Sequence, residues 1–174
     1  MDKINVIREI RELKTLFSYS KNIGFFFGAG TSCALGIPNV EQLTSGIEAK
    51  LTDDFLANFK LVKTDLETIF TDRKVNIEDI LNQIRRIREL TAETTKVYEG
   101  VSGENAKLLD KEICTIIYDI ILGKEAVADI SQTKKFFAWL SLLNRDFSKE
   151  VFTTNYDLII EKSLEASQIP YFDG

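Results

Sequence analysis

The sequence has no histidine, and only two prolines, two cysteines and one tryptophan among 174 residues. Without histidine, the chain lacks the side chain that most often serves as general base or metal ligand. Cys33 and Cys114 stand far apart and form no metal-type pair, so no metal is expected and a reducing cytoplasm is the expected setting. No run approaches the ~20 apolar residues that span a bilayer. Met1-Asp2-Lys3 leads into a charged amphipathic stretch rather than the apolar centre of a secretion signal, and no membrane partner is expected. A basic surplus is missing as well. Lys and Arg number 22 against 27 Asp and Glu, a net charge of −5. That is the wrong sign for a protein that neutralises phosphate backbones, so direct nucleic-acid binding is not expected. Arg85, Arg86 and Arg88 lie within a helical pattern and read as a solvated face.

What is present is ordinary globular material: 44% hydrophobic residues, 28% charged, and twelve Phe. The length suits one domain, and a chain of this size hides roughly 70% of its unfolded surface. Ile4, Ile7, Ile10, Leu13, Leu16 and Phe17 recur at helical spacing over residues 3–19, with Asp2 available as cap. Ile23-Gly24-Phe25-Phe26-Phe27 is too brief for a helix and predicts a strand buried on both faces. Asn39 can cap a helix through Leu43, Ile47 and Leu51.

The middle of the chain reads as helical. Asn76 opens a helix carrying Ile77, Ile80, Leu81, Ile84, Ile87 and Leu90, which a polar stretch around Gly100 and Gly103 breaks. A further helix carries Leu109, Ile113, Ile116 and Ile120 and is expected to stop at Gly123, and another spans Ser131 to Asn144. No strand signal is found between Pro38 and Lys149, which predicts a helical insertion beside a sheet. The strand pattern returns at Val151-Phe152-Thr153-Thr154, and a helix with Leu158, Ile159, Ile160 and Leu164 follows. Ile169-Pro170-Tyr171-Phe172-Asp173-Gly174 reads as the opening of another strand, as if a longer domain continued. Cys114 falls in an apolar helical pattern and is expected to be buried, Cys33 is read as a small packing residue, and Trp139 as helix-packing core. Asp53, Asp54, Glu78 and Asp79 read as helix caps and first-turn charges rather than a metal site.

Two segments carry chemistry. The first is a strand followed by Gly28-Ala29-Gly30-Thr31-Ser32 and then a helix, an order that sets backbone N–H groups where a pyrophosphate can sit. Gly30 lets the backbone approach a phosphate with no Cβ in the way, and Thr31 and Ser32 add hydroxyl donors. The dehydrogenase fingerprint is not met, because Cys33 stands where a third Gly or Ala belongs and no acidic residue sits convincingly ~20 positions on. The second segment is Thr153-Thr154-Asn155-Tyr156-Asp157 after the later strand.

Together with Gly36-Ile37-Pro38, the first segment resembles the NAD-binding loop of the sirtuin family, and Thr154-Asn155-Tyr156-Asp157 resembles that family's other signature. The resemblance covers residues 20–45 and 148–174. It implies an α/β fold: a Rossmann-like parallel sheet from residues 20–52 and 148–174, with a helical insertion over 53–147, all in one domain. Carried over by position, Gly28, Ala29, Gly30, Thr31, Ser32 and Pro38 would bind NAD, Ala29 and Ser32 on its diphosphate side. Thr154 and Asp157 would line the nicotinamide and ribose pocket, and Asn155 would be the catalytic amide. Cleaving the nicotinamide–ribose bond creates an oxocarbenium-like centre, which a neutral amide and a nearby carboxylate can accommodate without added positive charge. As helix caps after a strand, Asn155 and Asp157 also have a plain structural role open to them.

The departures from the family narrow the function. Asn39-Val40-Glu41 replaces the Asp-Phe-Arg of deacylating sirtuins, and two cysteines cannot build their zinc ribbon. The pattern is similar to the sirtuin-like NAD-consuming proteins of bacterial antiphage defence. It implies NAD as substrate, a homo-oligomer, and a protein partner or fused sensor or ATPase that triggers NAD depletion. A non-catalytic module sensing NAD or ADP-ribose, an NAD-dependent protein deacylase, and an assembly domain with a vestigial pocket remain alternatives.

Overall fold

The computed structural model describes residues 5–18, 23–143 and 148–173. Eight helices and four short strands are assigned among them. They are α1 (Val6–Ser18), β1 (Gly24–Phe27), α2 (Ala29–Cys33), α3 (Val40–Lys50), α4 (Asp53–Ile69), α5 (Ile77–Thr91), β2 (Val97–Tyr98), β3 (Val101–Ser102), α6 (Gly103–Glu125), α7 (Ser131–Leu142), β4 (Glu150–Thr153) and α8 (Ile159–Ala166). The chain is α/β, mostly helical, with a small parallel sheet of two strands.

The helical middle builds the larger core. Its period of three and four residues turns one side of each helix inward, so that Ile47, Phe59, Ile80, Ile84, Ile87, Leu109 and Ile113 are wholly buried together. Burial of each such side chain is worth roughly 1.5–3 kcal/mol. The helix starts are specified locally. Asn39 and Gln42 form a reciprocal capping box on α3, and Asn76 and Asp79 form another on α5. Thr44 ties the two helices together: its hydroxyl accepts from the buried Ile77 N–H at 2.9 Å. Between α5 and α6 an ionic network joins Arg88 to Glu93 and Asp110, Arg85 to Asp110 and Lys107 to Glu93. Arg85 and Arg86 are exposed as the solvated-face reading expects, but Arg88 is half-buried and spent on this network.

β1 and β4 pair in parallel, Phe27 opposite Thr153, although the chain between them is the whole helical middle. Phe25, Phe27 and Val151 pack with Phe136, Phe137 and Leu140 of α7 and Leu164 of α8 in a second, smaller core. The other face of this sheet is open. Phe26 is 68% and Phe152 52% exposed, so β1 is covered on one face rather than two.

Several sequence expectations are corrected. β2 and β3 form an antiparallel hairpin inside the stretch expected to hold no strand. Its two-residue turn places Glu99 at φ 51° and Gly100 at φ 82°, the left-handed pair that matches hairpin twist. α4 is a full helix that the sequence reading did not single out. α6 runs through Gly123 to Glu125, because one glycine in a long helix costs only about 1 kcal/mol. Residues 169–173 form no strand. Cys33 and Cys114 are both exposed, not packed inside. Trp139, at 40% exposure, lies at the rim of its aromatic cluster rather than in its centre. The expected cap Asp2 and the expected helix end Asn144 lie outside the described residues. No described helix is long and apolar enough to cross a membrane.

Candidate functional site

Because β1 and β4 are parallel neighbours in register, the loops that leave them emerge side by side at one end of the sheet. Those loops carry Gly28–Ser32 and Thr153–Asp157, the two segments singled out in the sequence. Asn155 closes the gap between them. Its Nδ2 donates to Ser32 Oγ at 2.7 Å and to the Gly28 carbonyl at 3.2 Å, across more than a hundred residues of chain. The carbonyl can only accept, so the amide nitrogen must face the first loop. Both amide hydrogens are thereby committed, and Oδ1 is the atom of this side chain able to accept from a ligand hydroxyl. Asn155 is held from behind by its own N–H, which donates to Thr153 Oγ1 at 3.0 Å.

The first loop is tightly wound. Gly28 sits extended before α2, and its carbonyl accepts from both the Thr31 N–H and the Thr31 hydroxyl, the latter at 2.6 Å. Ser32 is buried, and Gly36 makes the exit turn at φ 87° before buried Ile37, whose N–H returns to the Ser32 carbonyl. Ala29, Gly30 and Thr31 are exposed along the outer surface, and Pro38 is half-buried. A Cβ built on Gly30 meets nothing within 4 Å, so that position faces open space.

These placements change some assignments. The Thr31 hydroxyl donates to the Gly28 carbonyl, and Ser32 Oγ accepts from Asn155. Asp157 is buried and its Oδ1 accepts from the Ile159 N–H at 3.2 Å, which serves the start of α8. Its capping role is the one the hydrogen bonds support. Thr154 is exposed next to Asn155.

The helical middle grips the second segment at two points. Tyr156 donates through its hydroxyl to Glu78 of α5 at 3.2 Å, and partial burial together with that carboxylate pushes the phenol above its ordinary pKa. Glu125, at the end of α6, is buried. It accepts from the Leu158 N–H at 2.7 Å and from the Lys162 ammonium. Glu125 was missed at the sequence level. It sits in an unremarkable helical pattern, and only the fold brings it under the loop that carries Asn155. Although Cys114 is exposed as a residue, partial shielding of its thiol, and then the neighbouring Asp110 carboxylate, push its pKa up and keep it a thiol rather than a nucleophilic thiolate.

A large cleft of about 1460 Å³ lies elsewhere, between α3 and the α4–α5 connection. None of Gly28–Ser32 or Asn155 lines it, and its three basic groups are each paired: Lys63 with Glu48, Lys74 with Glu41, and Arg73 with Asp79 just beyond its rim. Among the described residues no acidic or cysteine cluster could hold a metal ion.

Comparison with known proteins adds no relative: no family model, no curated protein and no solved structure matches the chain.

Proposed function

We propose that the chain is the NAD-binding part of a sirtuin-like NAD hydrolase that releases nicotinamide and ADP-ribose. On this reading β1 and β4 are the centre of a Rossmann-like sheet, and NAD lies across the crevice at their carboxyl ends, where ligands bind in such sheets. The observation that carries the proposal is the amide of Asn155 bonded to Gly28 and Ser32, which unites the two segments whose resemblance to the sirtuin signatures pointed to NAD. The exposed surface of Ala29, Gly30 and Thr31 gives the diphosphate room to approach the backbone. Asn155 Oδ1 then accepts from a hydroxyl of the nicotinamide ribose and fixes the ring as positive charge develops on it. Because the amide is already fastened by two hydrogen bonds, it need not reorganise as the bond breaks. The working context we propose is cytoplasmic antiphage defence, in a homo-oligomer triggered by a protein partner or a fused sensor or ATPase.

In the activated protein, Asn155→Ala is expected to lower nicotinamide release by ~10²-fold or more, with NAD still bound. Asn58→Ala, whose amide reaches only the Asp54 carbonyl one turn back on α4, is the control and should leave turnover unchanged. Asn155→Ala turnover within a few-fold of wild type overturns the proposal. A second reading, a module that senses NAD or ADP-ribose without cleaving it, is favoured by one observation: Thr31, Ser32 and Asp157 each make an internal hydrogen bond through the side chain. Calorimetric NAD binding by an activated wild-type protein that releases no nicotinamide would establish that reading instead.

A further inference from the structure

Helix α1 is attached to the rest of the protein by one end. Phe17 stacks on Phe25 at 6.2 Å between ring centroids and meets Trp139 edge-on at 5.4 Å, whereas every residue from Asn5 to Thr15 is exposed. Those exposed turns are not polar all round. Val6, Ile10 and Leu13 are 50–62% exposed and fall at four- and three-residue steps in line with Phe17. This is a seam of alternating d and a positions. A helix of 13 residues is marginal in water without a surface to pack on, so this seam calls for a partner.

The flanking charges select which partner. With Ile10 at a and Val6 and Leu13 at d, Glu9 falls at g on one flank and Lys14 at e on the other, five residues apart. That is the spacing at which a g residue meets the e residue of a second, parallel helix in a two-stranded coil. A two-fold axis generates the Glu9–Lys14 pair twice. An antiparallel pairing would instead set the Glu9 flank against itself and the Lys14 flank against itself. We propose that α1 is a homodimerisation helix, and that its occupant is the α1 of a second copy in a parallel coiled coil.

Sedimentation equilibrium of the full chain over a range of micromolar concentrations tests this. The wild type is expected to approach the mass of two chains. Ile10→Asp combined with Leu13→Asp alters only exposed positions and should yield a monomer with an unchanged circular dichroism melt of the main body. Glu9→Lys alone, or Lys14→Glu alone, should weaken association by about five- to tenfold, since each turns two pairs from attractive to repulsive. The doubly reversed chain, and an equimolar mixture of the two single variants, should recover it. Three results overturn the proposal: a wild type that stays monomeric throughout, single reversals without effect, or a monomer that floats with anionic vesicles and so uses α1 as an interfacial helix.

Discussion

Gly30 does nothing for the protein's own packing, since a side chain there would point into open space. On the NAD-binding proposal, the bare backbone there lets a diphosphate approach without meeting a Cβ. Gly30→Val is therefore expected to leave the circular dichroism spectrum and melting temperature close to wild type while NAD binding, read by calorimetry, is lost. Unchanged affinity would remove Gly28–Ser32 from the binding site. The contrast with Ser32 and Asp157 shows what a sequence can and cannot disclose at this scale. The resemblance of Thr154-Asn155-Tyr156-Asp157 to the sirtuin signature singled out Asn155. It could not show that the Ser32 hydroxyl faces Asn155, or that Asp157 spends a carboxylate oxygen on Ile159. A hydroxyl or carboxylate has several possible partners, and choosing among them takes coordinates.

At the scale of elements, the legible features were those with local causes. The capped starts of α3 and α5 were readable because Asn39 and Asn76 bond to backbone within their own first turn. α4 was less visible: its buried residues Phe59, Val62 and Leu66 are separated by charges and its cap residue Thr52 makes no side-chain bond. The hairpin β2–β3 escaped notice because four strand residues give too little alternation to register. The join between α3 and α5 through Thr44 was also beyond the sequence, because its partner lies on a different helix. Thr44→Val keeps the shape of that side chain and leaves the buried Ile77 N–H without an acceptor. The expected loss is about 1–3 kcal/mol of stability, measured by urea denaturation. A midpoint unchanged from wild type would mean that water satisfies that N–H.

For the molecule as a whole, acid is expected to act through carboxylates that the fold holds ionised. The Asp79 carboxylate is kept below its usual range chiefly by Arg73, and Glu93 chiefly by Lys107 and then Arg88. A carboxyl with a depressed folded pKa stabilises fully above its unfolded value, about 4, and loses that contribution as pH falls through the lower folded value. Asp65 runs the other way, because burial and the neighbouring Glu99 raise it, so its protonation favours the fold as pH falls. The net expectation is a melting temperature that is level near neutral pH and falls below about pH 4. Asp79→Asn should lower the neutral plateau and flatten the acid limb, and an acid limb identical to wild type would show that Asp79 plays no part in it.

The pairing of β1 with β4 across the helical middle also has a kinetic meaning. Two four-residue strands cannot offset the entropy of closing so long a loop by themselves. The core of α3 to α6 is built from near neighbours along the chain and can condense early. Once condensed, it shortens the effective loop and carries Glu78 and Glu125 to where the segment after β4 will dock. The junction of Asn155 with Gly28 and Ser32 is then among the last things the polypeptide acquires. A chain growing from the ribosome would therefore form its helical body before the proposed NAD site exists.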